Sequence, residues 1–338
     1  MSRLRCSFTL KDLRVRPLEK RDVSEVKDIY TLSGWSVTEG GVESWLLGGG
    51  YIKTYVAELD GRIVGKVGLD TAFPPYAEII NIVVHPDYQG KGVGSRLMEY
   101  CMQEAEKRGF WTVYLMCDPL DVGVHRFYSR FGFKPAILGD REDPRESTWL
   151  FRFGRGSFID KFLHNHPLSE FQVSEHRVDF RGRRLYRMRW IDPVTEDCLE
   201  LFLEGQPGQP DHGTMPRVSG FKLRLDDVVV EALAKEKSYT ISYDEPGGFI
   251  FEFENRSDDE VTLTLKPLTA PGVYIKPRPP RRLKVEAREK LTLEFSTVLS
   301  GFFRIPVIYL SFQTVVSSLI VSVNGLNGLV SAGWKFQP

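Results

Sequence analysis

The sequence predicts an α/β fold over residues 1–153, followed by an all-β, sandwich-like region over residues 154–338. In the first part, strand-like and helix-like patterns alternate, which is typical of a sheet flanked by helices. Beyond residue 153 helical periodicity nearly disappears, and short apolar runs are separated by turn residues, as in a β-sandwich. A chain of 338 residues also exceeds the usual size of one hydrophobic core, so two domains are expected.

Turn chemistry and apolar periodicity define the elements of the first part. Asp60-Gly61 lies between two strand-like runs and is typical of a tight hairpin. A nearly continuous apolar run at 78–85 stops at Pro86, which predicts a central strand covered on both faces. The predicted elements are a strand at 13–19, a helix from residue 22, strands at 51–59, 62–69 and 78–85, a helix at 92–108, a strand at 111–117, a helix at 120–131 and a strand at 147–153.

Turn residues also divide the second part. The segment 205–216 is rich in proline and glycine, which suggests a further division near 205–235, with an immunoglobulin-like sandwich at about 236–338. No charged residue occurs from 305 to 334, a length that could span a bilayer. Pro306, the asparagines and the many β-branched residues favour two buried strands instead. The predicted strands lie at 183–191, 198–203, 239–243, 249–254, 261–265, 291–295, 305–312 and 315–323.

Composition excludes several classes of protein. With 42% apolar and 27% charged residues, the chain is typical of a soluble globular protein. The 45 basic residues equal the 45 acidic ones, which disfavours a nucleic-acid partner. The four cysteines lack metal or disulfide spacing, and no apolar stretch suggests a signal peptide, so a cytoplasmic location and no metal are expected.

The glycine-rich segment after the strand at 78–85 is the main candidate for a binding site. Small residues between a strand and a helix let backbone N–H groups approach a phosphate at the helix N-terminus. A plain glycine-rich connection is the alternative, but the buried strand before it and the amphipathic helix after it favour phosphate binding. The predicted phosphate-binding residues are Gln89, Gly90, Lys91, Gly92, Val93, Gly94 and Ser95.

This segment resembles the phosphate loop of the GNAT N-acetyltransferase superfamily, in which Gln or Arg precedes spaced glycines. Gln89, Gly92 and Gly94 match that form, and residues 82–88 and 127–133 resemble the flanking motifs. The resemblance covers 13–153 and implies the GNAT fold, a mixed and mostly antiparallel sheet flanked by helices. It also implies acetyl-CoA as co-substrate, with the pantetheine arm held between two splayed strands at 78–84 and 111–117.

The resemblance further implies the roles of individual residues. The backbone of Ile82, Val83 and Val84 is expected to hold the pantetheine, and an N–H group of Val83 or Val84 at a strand bulge to stabilise the thioester oxyanion. Asp121 stands where the family frequently has asparagine, and its carboxylate could accept a hydrogen bond from the pantetheine.

Transfer to an amine requires a proton acceptor, because an alkyl ammonium titrates near about 10.4, and the leaving thiolate requires a proton donor. Glu78 is the predicted base, from its similarity in position to the glutamate of histone acetyltransferases. Tyr128 is the predicted acid, at the position where many family members have a tyrosine. The alternatives are that Glu78 begins an exposed strand end and that Tyr128 is a core aromatic.

Two other reactive side chains are interpreted as structural. Cys117 lacks an evident histidine partner, so a small buried apolar role is favoured over an acyl-cysteine. His164 and His166 are interpreted as part of an extended segment without an acidic or thiol companion, which makes a poor metal site.

The predicted function is therefore direct N-acetyl transfer in a ternary complex, with the acceptor left open. Residues 31–50, including Trp35, Glu39, Glu43 and Trp45, either line a pocket for a cationic amine or only pack the helices. The β-rich part is expected to bind a small-molecule or protein amine acceptor, cover the active site or form a homodimer. A protein that senses acyl-CoA and docks onto a partner is the second hypothesis.

Overall fold

The structure is a computed structural model that describes residues 12–47, 50–143, 146–154, 156–178, 184–205, 215–304 and 314–338. By their internal contacts the residues form two compact units. The first unit is Met1–Ala72 with Ala77–Val113, and the second is Phe73–Tyr76 with Tyr114–Pro338. The chain therefore leaves the first unit for four residues and returns to it. The boundary near 153 that the sequence suggests stays a prediction.

In the described part of the first unit, four strands and the first two residues of a fifth combine with three α-helices. Its strands lie in the order β1-β2-β3-β4, and the pairs β1/β2 and β2/β3 are antiparallel. Their bounds are β1 Arg14–Pro17, β2 Ile52–Leu59, β3 Arg62–Phe73 and β4 Tyr76–Val84, and the helices are α1 Val23–Leu32, α2 Glu39–Leu47 and α3 Val93–Lys107. Asp60 and Gly61, with φ of 49° and 75°, close the β2/β3 hairpin and confirm the predicted turn.

A hydrophobic core joins α1 and α2 to the strands of this unit. Tyr30 and Ile29 of α1 and Val42 of α2 are buried together with Val56 of β2 and Val83 of β4. Trp45 of α2 packs against the same cluster. The buried apolar side chains of α1 itself recur at helical spacing, which explains why this segment is an amphipathic helix.

The second unit begins with two helices among three strands and continues as strands. The bounds are β5 Thr112–Cys117, whose last four residues lie in this unit, α4 Val122–Ser129, β6 Lys134–Ile137, β7 Thr148–Phe153 and α5 Phe158–Asn165. The helix α5 was not predicted, although Ser157 is a typical N-cap whose hydroxyl accepts a hydrogen bond from the N–H of Asp160 at 3.2 Å.

Two sheets make up the rest of this unit. One has the order β16-β18-β14-β12-β11-β10-β9-β8 and the other the order β13-β20-β19-β15-β17. The strands are β8 Glu170–Val178, β9 Arg184–Ile191, β10 Cys198–Gly205, β11 Arg217–Leu225, β12 Val228–Glu236, β13 Thr240–Ile241, β14 Gly247–Asn255, β15 Val261–Thr269, β16 Val273–Lys276, β17 Leu283–Val285, β18 Lys290–Leu299, β19 Thr314–Val323 and β20 Leu326–Phe336. Almost all pairs are antiparallel, and β20 contacts β11 and β12 across a buried interior, as in a sandwich. The predicted fold class, an α/β part followed by an all-β part, is confirmed.

The described part of the uncharged stretch near the C-terminus forms two buried strands, of which β19 confirms the strand predicted at 315–323, whereas β20 was not predicted. β19 and β20 pair in antiparallel register from Thr314↔Lys335 to Val323↔Leu326. Asn324 and Gly325 close this hairpin with positive φ. The strand predicted at 305–312 lies outside the described residues. In the part of the chain that the structure describes, no helix is long and apolar enough to cross a membrane.

The first residue of β4 is anchored within the second unit. The hydroxyl group of Tyr76 accepts a hydrogen bond from the N–H of Val218 at 2.9 Å and lies 2.8 Å from the hydroxyl oxygen of Ser331. The Tyr76 side chain is completely buried, and burial raises its pKa to about 12. The turn before β4 is thereby tied to β11 and β20 by two buried hydrogen bonds.

Candidate active site

The predicted phosphate loop connects β4 to the long helix α3. Gly90 and Gly92 have φ of 71° and 88°, in the left-handed region that favours glycine. Gly92 is the N-cap residue of α3 and makes no side-chain cap, so the first N–H groups of the helix point towards the loop. A 15-residue helix beginning at such a loop presents donors and a positive dipole end, which suits an anion.

Side-chain contacts hold the loop against the end of β4. The Gln89 amide donates a hydrogen bond to the carbonyl oxygen of Val84 at 3.1 Å. The N–H of Asp87 donates to His85 Nδ1 at 3.2 Å, within a short 3-10 helix. Lys91 is exposed, with its ammonium 5.2 Å from the ring centroid of Tyr88. Gln89 is thereby fixed to the strand, and Lys91 lies beside the aromatic ring of Tyr88.

The irregular residue in β4 lies earlier than the family resemblance suggests. The bulge was expected at Val83 or Val84, whereas the residue of β4 with positive φ is Asn81, at 50°. Asn81 is exposed, while its neighbours Ile79 and Val83 are buried. The oxyanion role of Val83 or Val84 stays a prediction, and the left-handed backbone conformation of β4 lies at Asn81, two or three residues before them.

The predicted base lies inside β4. Glu78 is only 3% exposed, so the alternative of an exposed strand end is wrong. A buried carboxyl group in a strand beside a phosphate loop has the restricted environment in which catalytic acids and bases are held. The first unit thus contains Glu78, the residues Ile82–Val84 and the loop.

The predicted acid lies in the second unit, on α4. Tyr128 is buried, with its ring centroid 5.2 Å from that of Phe127 and 6.1 Å from that of Phe133. Burial is the largest cause that raises the pKa of its phenol group above the usual value, followed by the charges of Cys117 and Asp121. The phenol therefore keeps its proton at neutral pH, as a proton donor must, although the aromatic contacts equally suit a core residue.

Asp121 has a structural role in this unit. Its carboxylate accepts a hydrogen bond from the N–H of Val124 at 2.9 Å and so caps α4. One carboxylate oxygen is thereby engaged in starting the helix that carries Tyr128. Coenzyme binding by Asp121 stays a prediction.

Cys117 has a histidine neighbour that the sequence did not reveal. His125 Nε2 lies 3.4 Å from Cys117 Sγ and 2.9 Å from the carbonyl oxygen of Asp118. A carbonyl oxygen can only accept, so the Nε2 atom carries the proton and cannot take one from the thiol. Burial, with the charges of Asp121 and Asp118, raises the pKa of the Cys117 thiol to about 12. This arrangement disfavours an acyl-cysteine.

The histidines near residue 165 differ from the sequence interpretation in two ways. His164 lies in α5 and His166 is its C-cap residue, so the segment is helical rather than extended. His166 also has acidic companions, with Nδ1 2.8 Å from Asp192 and Nε2 3.1 Å from Asp197. The β9/β10 turn brings these carboxylates close, which the sequence alone could not show. Among the described residues, no group of three or more potential ligands could hold a metal ion.

An aromatic residue of the predicted acceptor pocket, Trp45, contacts a lysine side chain of this chain, Lys66. Trp35 and Trp45 both pack on Tyr30, with ring centroids 5.6 and 5.4 Å from it. Lys66 Nζ lies 3.9 Å from the ring centroid of Trp45, so that part of the aromatic surface is occupied by the amine of a lysine from β3. Glu39 instead pairs with Lys27 at the surface, and Glu43 is exposed. The structure thus favours the packing interpretation for Trp45.

Lys66 is the residue that the sequence analysis missed. It is 1% exposed, and burial lowers its pKa to about 7, with a smaller opposing effect of Cys101. The signal in the sequence was a lysine within β3, where both faces of the strand carry apolar residues.

Comparison with known proteins gives a family match for the region that contains the loop. Residues 22–133 match the Acetyltransferase (GNAT) family. An uncharacterised N-acetyltransferase of Methanocaldococcus jannaschii is 35% identical over 86 residues, which are 24% of this chain and 38% of that protein. The ribosomal protein bS18-alanine N-acetyltransferase of Escherichia coli strain K12 is 37% identical over 62 residues, 18% of this chain and 42% of that protein. The matched regions span about two fifths of these relatives.

Solved structures of N-acetyltransferases are similar to about two fifths of this chain. The crystal structure of the ribosomal-protein-S18-alanine N-acetyltransferase from Escherichia coli is 23% identical and covers 41% of this chain and 90% of that one, with a TM-score of 0.36. A PaiA N-acetyltransferase from Thermoplasma acidophilum, in complex with coenzyme A, is 16% identical and covers 42% and 99%, with a TM-score of 0.35. The family match lies within the N-terminal region, at residues 22–133, and the all-β region lies outside it.

Proposed function

We propose that the chain is an acetyl-CoA-dependent N-acetyltransferase in which an amine attacks the thioester directly in a ternary complex. The loop between β4 and α3 carries this proposal. Its glycines Gly90 and Gly92 adopt left-handed conformations at the start of a 15-residue helix, within the residues that match the acetyltransferase family. Backbone donors at a helix N-terminus are suited to the pyrophosphate of coenzyme A.

The remaining coenzyme contacts would come from the backbone of β4. Residues Ile82–Val84 precede the loop directly, so a pantetheine arm continuing from a bound pyrophosphate would run beside this strand. Gln89 supports this arrangement because its hydrogen bond to Val84 fixes the loop to the strand. Holding both substrates in this way would supply much of the catalysis, since direct transfer needs chiefly proximity and orientation.

Two side chains would move the protons of the reaction. Glu78 would accept the proton from the acceptor amine, directly or through water, and its burial supports a role in a site closed to bulk solvent. Tyr128 would donate a proton to the departing thiolate, and its position at the tyrosine of many family members, with a phenol that is protonated at neutral pH, supports this role. Neither role depends on a covalent enzyme intermediate.

The acceptor is proposed as a primary amine on a peptide or a small molecule. The Escherichia coli relative is named as an acetyltransferase of a protein alanine, which makes peptide N-termini a rational first choice. An aromatic subsite for a cationic acceptor at Trp45 is less well supported, since Lys66 occupies that ring.

A thiol-release assay on the full chain tests the proposal. Acetyl-CoA would be offered with a peptide bearing an N-terminal alanine, a lysine peptide and a polyamine, and free coenzyme A would be followed. Transfer to at least one amine is expected. Tight binding of acetyl-CoA without transfer to any amine would instead favour the acyl-CoA sensor.

Tyr128→Phe tests the acid. Turnover is expected to fall by about 10² to 10⁴, the usual contribution of a positioned proton donor, with little change in the KM for acetyl-CoA. Tyr274→Phe is the matched control, because Tyr274 is 52% exposed on β16. Equal turnover in both variants would remove Tyr128 from the mechanism.

A further inference from the structure

A buried amine lies in the first unit, close to the strand proposed to hold the coenzyme. Lys66 projects from β3 into the core cluster between the strands and helices α1 and α2. Its Nζ atom lies 3.9 Å from the ring centroid of Trp45 and donates a hydrogen bond of 3.3 Å to the hydroxyl oxygen of Tyr30. The amine is therefore held at a fixed point by an aromatic face and one phenol.

The groups around Lys66 leave its charge uncompensated. Tyr30 faces it from α1, Trp45 from α2 and Cys101 from α3, and burial raises the pKa of both the Tyr30 phenol and the Cys101 thiol, so neither supplies a negative charge at neutral pH. Within the described ranges, no carboxylate forms a salt bridge with Lys66. An ammonium ion without a counterion is costly in such a place, which favours the neutral and nucleophilic form.

A short hydrogen-bonded path connects this amine to the irregular residue of β4. The Tyr30 hydroxyl group donates a hydrogen bond of 3.4 Å to the carbonyl oxygen of Asn81. Asn81 is exposed and has positive φ, and it immediately precedes Ile82–Val84. Two hydrogen bonds therefore link the Lys66 amine to the backbone of Asn81, the exposed residue of β4 with positive φ.

We propose that Lys66 is an internal acetyl acceptor, modified by the acetyl-CoA bound to its own chain. The inference rests on the proposed function, because that function supplies the thioester. The Lys66 nitrogen attacks the thioester carbonyl carbon, the C–N bond forms and the C–S bond breaks. Coenzyme A departs as a thiolate and takes up the proton that the nitrogen loses. The product is a neutral amide, which is easier to bury beside Trp45 than an ammonium ion.

Peptide mass spectrometry of the full chain tests this proposal. The protein would be incubated with acetyl-CoA and, separately, with acetic anhydride, and acetylation of Lys66 would be compared with that of Lys107, which is 68% exposed on α3. With acetyl-CoA, Lys66 is expected to be modified first, at a rate independent of protein concentration. With the anhydride, which needs no binding site, Lys107 is expected to react first.

Two further measurements connect the modification to the coenzyme and to the neutral amine. Gly92→Val, which places a side chain at a left-handed residue of the loop, is expected to abolish modification of Lys66 by acetyl-CoA while leaving the anhydride pattern unchanged. Between pH 6 and pH 8 the rate is expected to rise about ten-fold, since the neutral fraction of an amine with a pKa of about 7 grows from about one tenth to about nine tenths.

The outcomes separate this inference from the proposed function. Transfer to external amines with Lys66 unmodified would overturn the internal acceptor and leave the acetyltransferase intact. Lys66 modified no faster than Lys107, or equally in Gly92→Val, would also overturn it. A chain that does not bind acetyl-CoA at all would overturn both proposals.

Discussion

Replacing Lys66 with methionine is expected to stabilise the first unit at neutral pH and to lose that advantage as the pH rises. Methionine has a similar length and carries no charge to desolvate. The lysine pKa falls from 10.5 to about 7 on burial, and each pKa unit corresponds to about 1.4 kcal/mol. The full effect on the free energy of unfolding is therefore about 5 kcal/mol, as an upper bound.

The number of protons bound by the folded and the unfolded chain determines how the free energy of unfolding changes with pH. Between pH 7 and pH 10.5 the folded protein holds Lys66 neutral while the unfolded chain is protonated, so the free energy of unfolding of the native protein rises with pH in this window. The methionine variant lacks this dependence. Its advantage is expected to be complete below pH 7 and to shrink by about 2 kcal/mol between pH 7 and pH 9.

Urea unfolding at pH 7, 8 and 9, followed by tryptophan fluorescence, measures this difference. Lys107→Met serves as the control for removing a lysine at the surface. A difference in unfolding free energy between Lys66→Met and the native protein that stays constant from pH 7 to pH 9 would refute the burial of an uncompensated amine.

Two other substitutions test contacts of the second unit. Tyr76→Phe leaves the N–H of Val218 without its buried acceptor, so the free energy of unfolding is expected to fall by about 1 to 3 kcal/mol, and an unchanged urea midpoint would contradict this. Asp121→Ala removes the cap of α4 and is expected to lower stability by about 1 kcal/mol. Titration of that variant with acetyl-CoA tests whether Asp121 also binds the coenzyme. If Asp121 only caps the helix, the affinity for acetyl-CoA is expected to stay unchanged.

The local features of the fold were predictable because a few residues determine them. A two-residue hairpin turn requires positive φ at both positions, and Asp60 and Gly61 are residue types that adopt it at low cost. The strand predicted at 315–323 is confirmed by β19, because β-branched side chains and polar residues suit a buried sheet better than a membrane helix. The glycine-rich connection between β4 and α3 was predicted because a buried strand precedes it and an amphipathic helix follows it, and phosphate binding there stays a prediction.

Features that depend on contacts distant in sequence were not predictable. The partners of His166 come from the β9/β10 turn, and the partners of Tyr76 lie more than 140 residues away.

Two local features were not predicted either. Asn81 resembles any polar residue in a strand until its positive φ is known. Helix α5 was missed because eight residues give too little periodicity, although its serine cap was visible in the sequence.

The anchoring of Tyr76 bears on how this polypeptide can be divided. A gene fragment ending near residue 153 would contain every residue matched by the acetyltransferase family, yet it would lack both partners of the Tyr76 hydroxyl group. In that fragment the side chain of Tyr76, two residues before Glu78, would lack these partners. Exchanging the β-rich half for another domain would therefore require new hydrogen-bond partners for this one tyrosine.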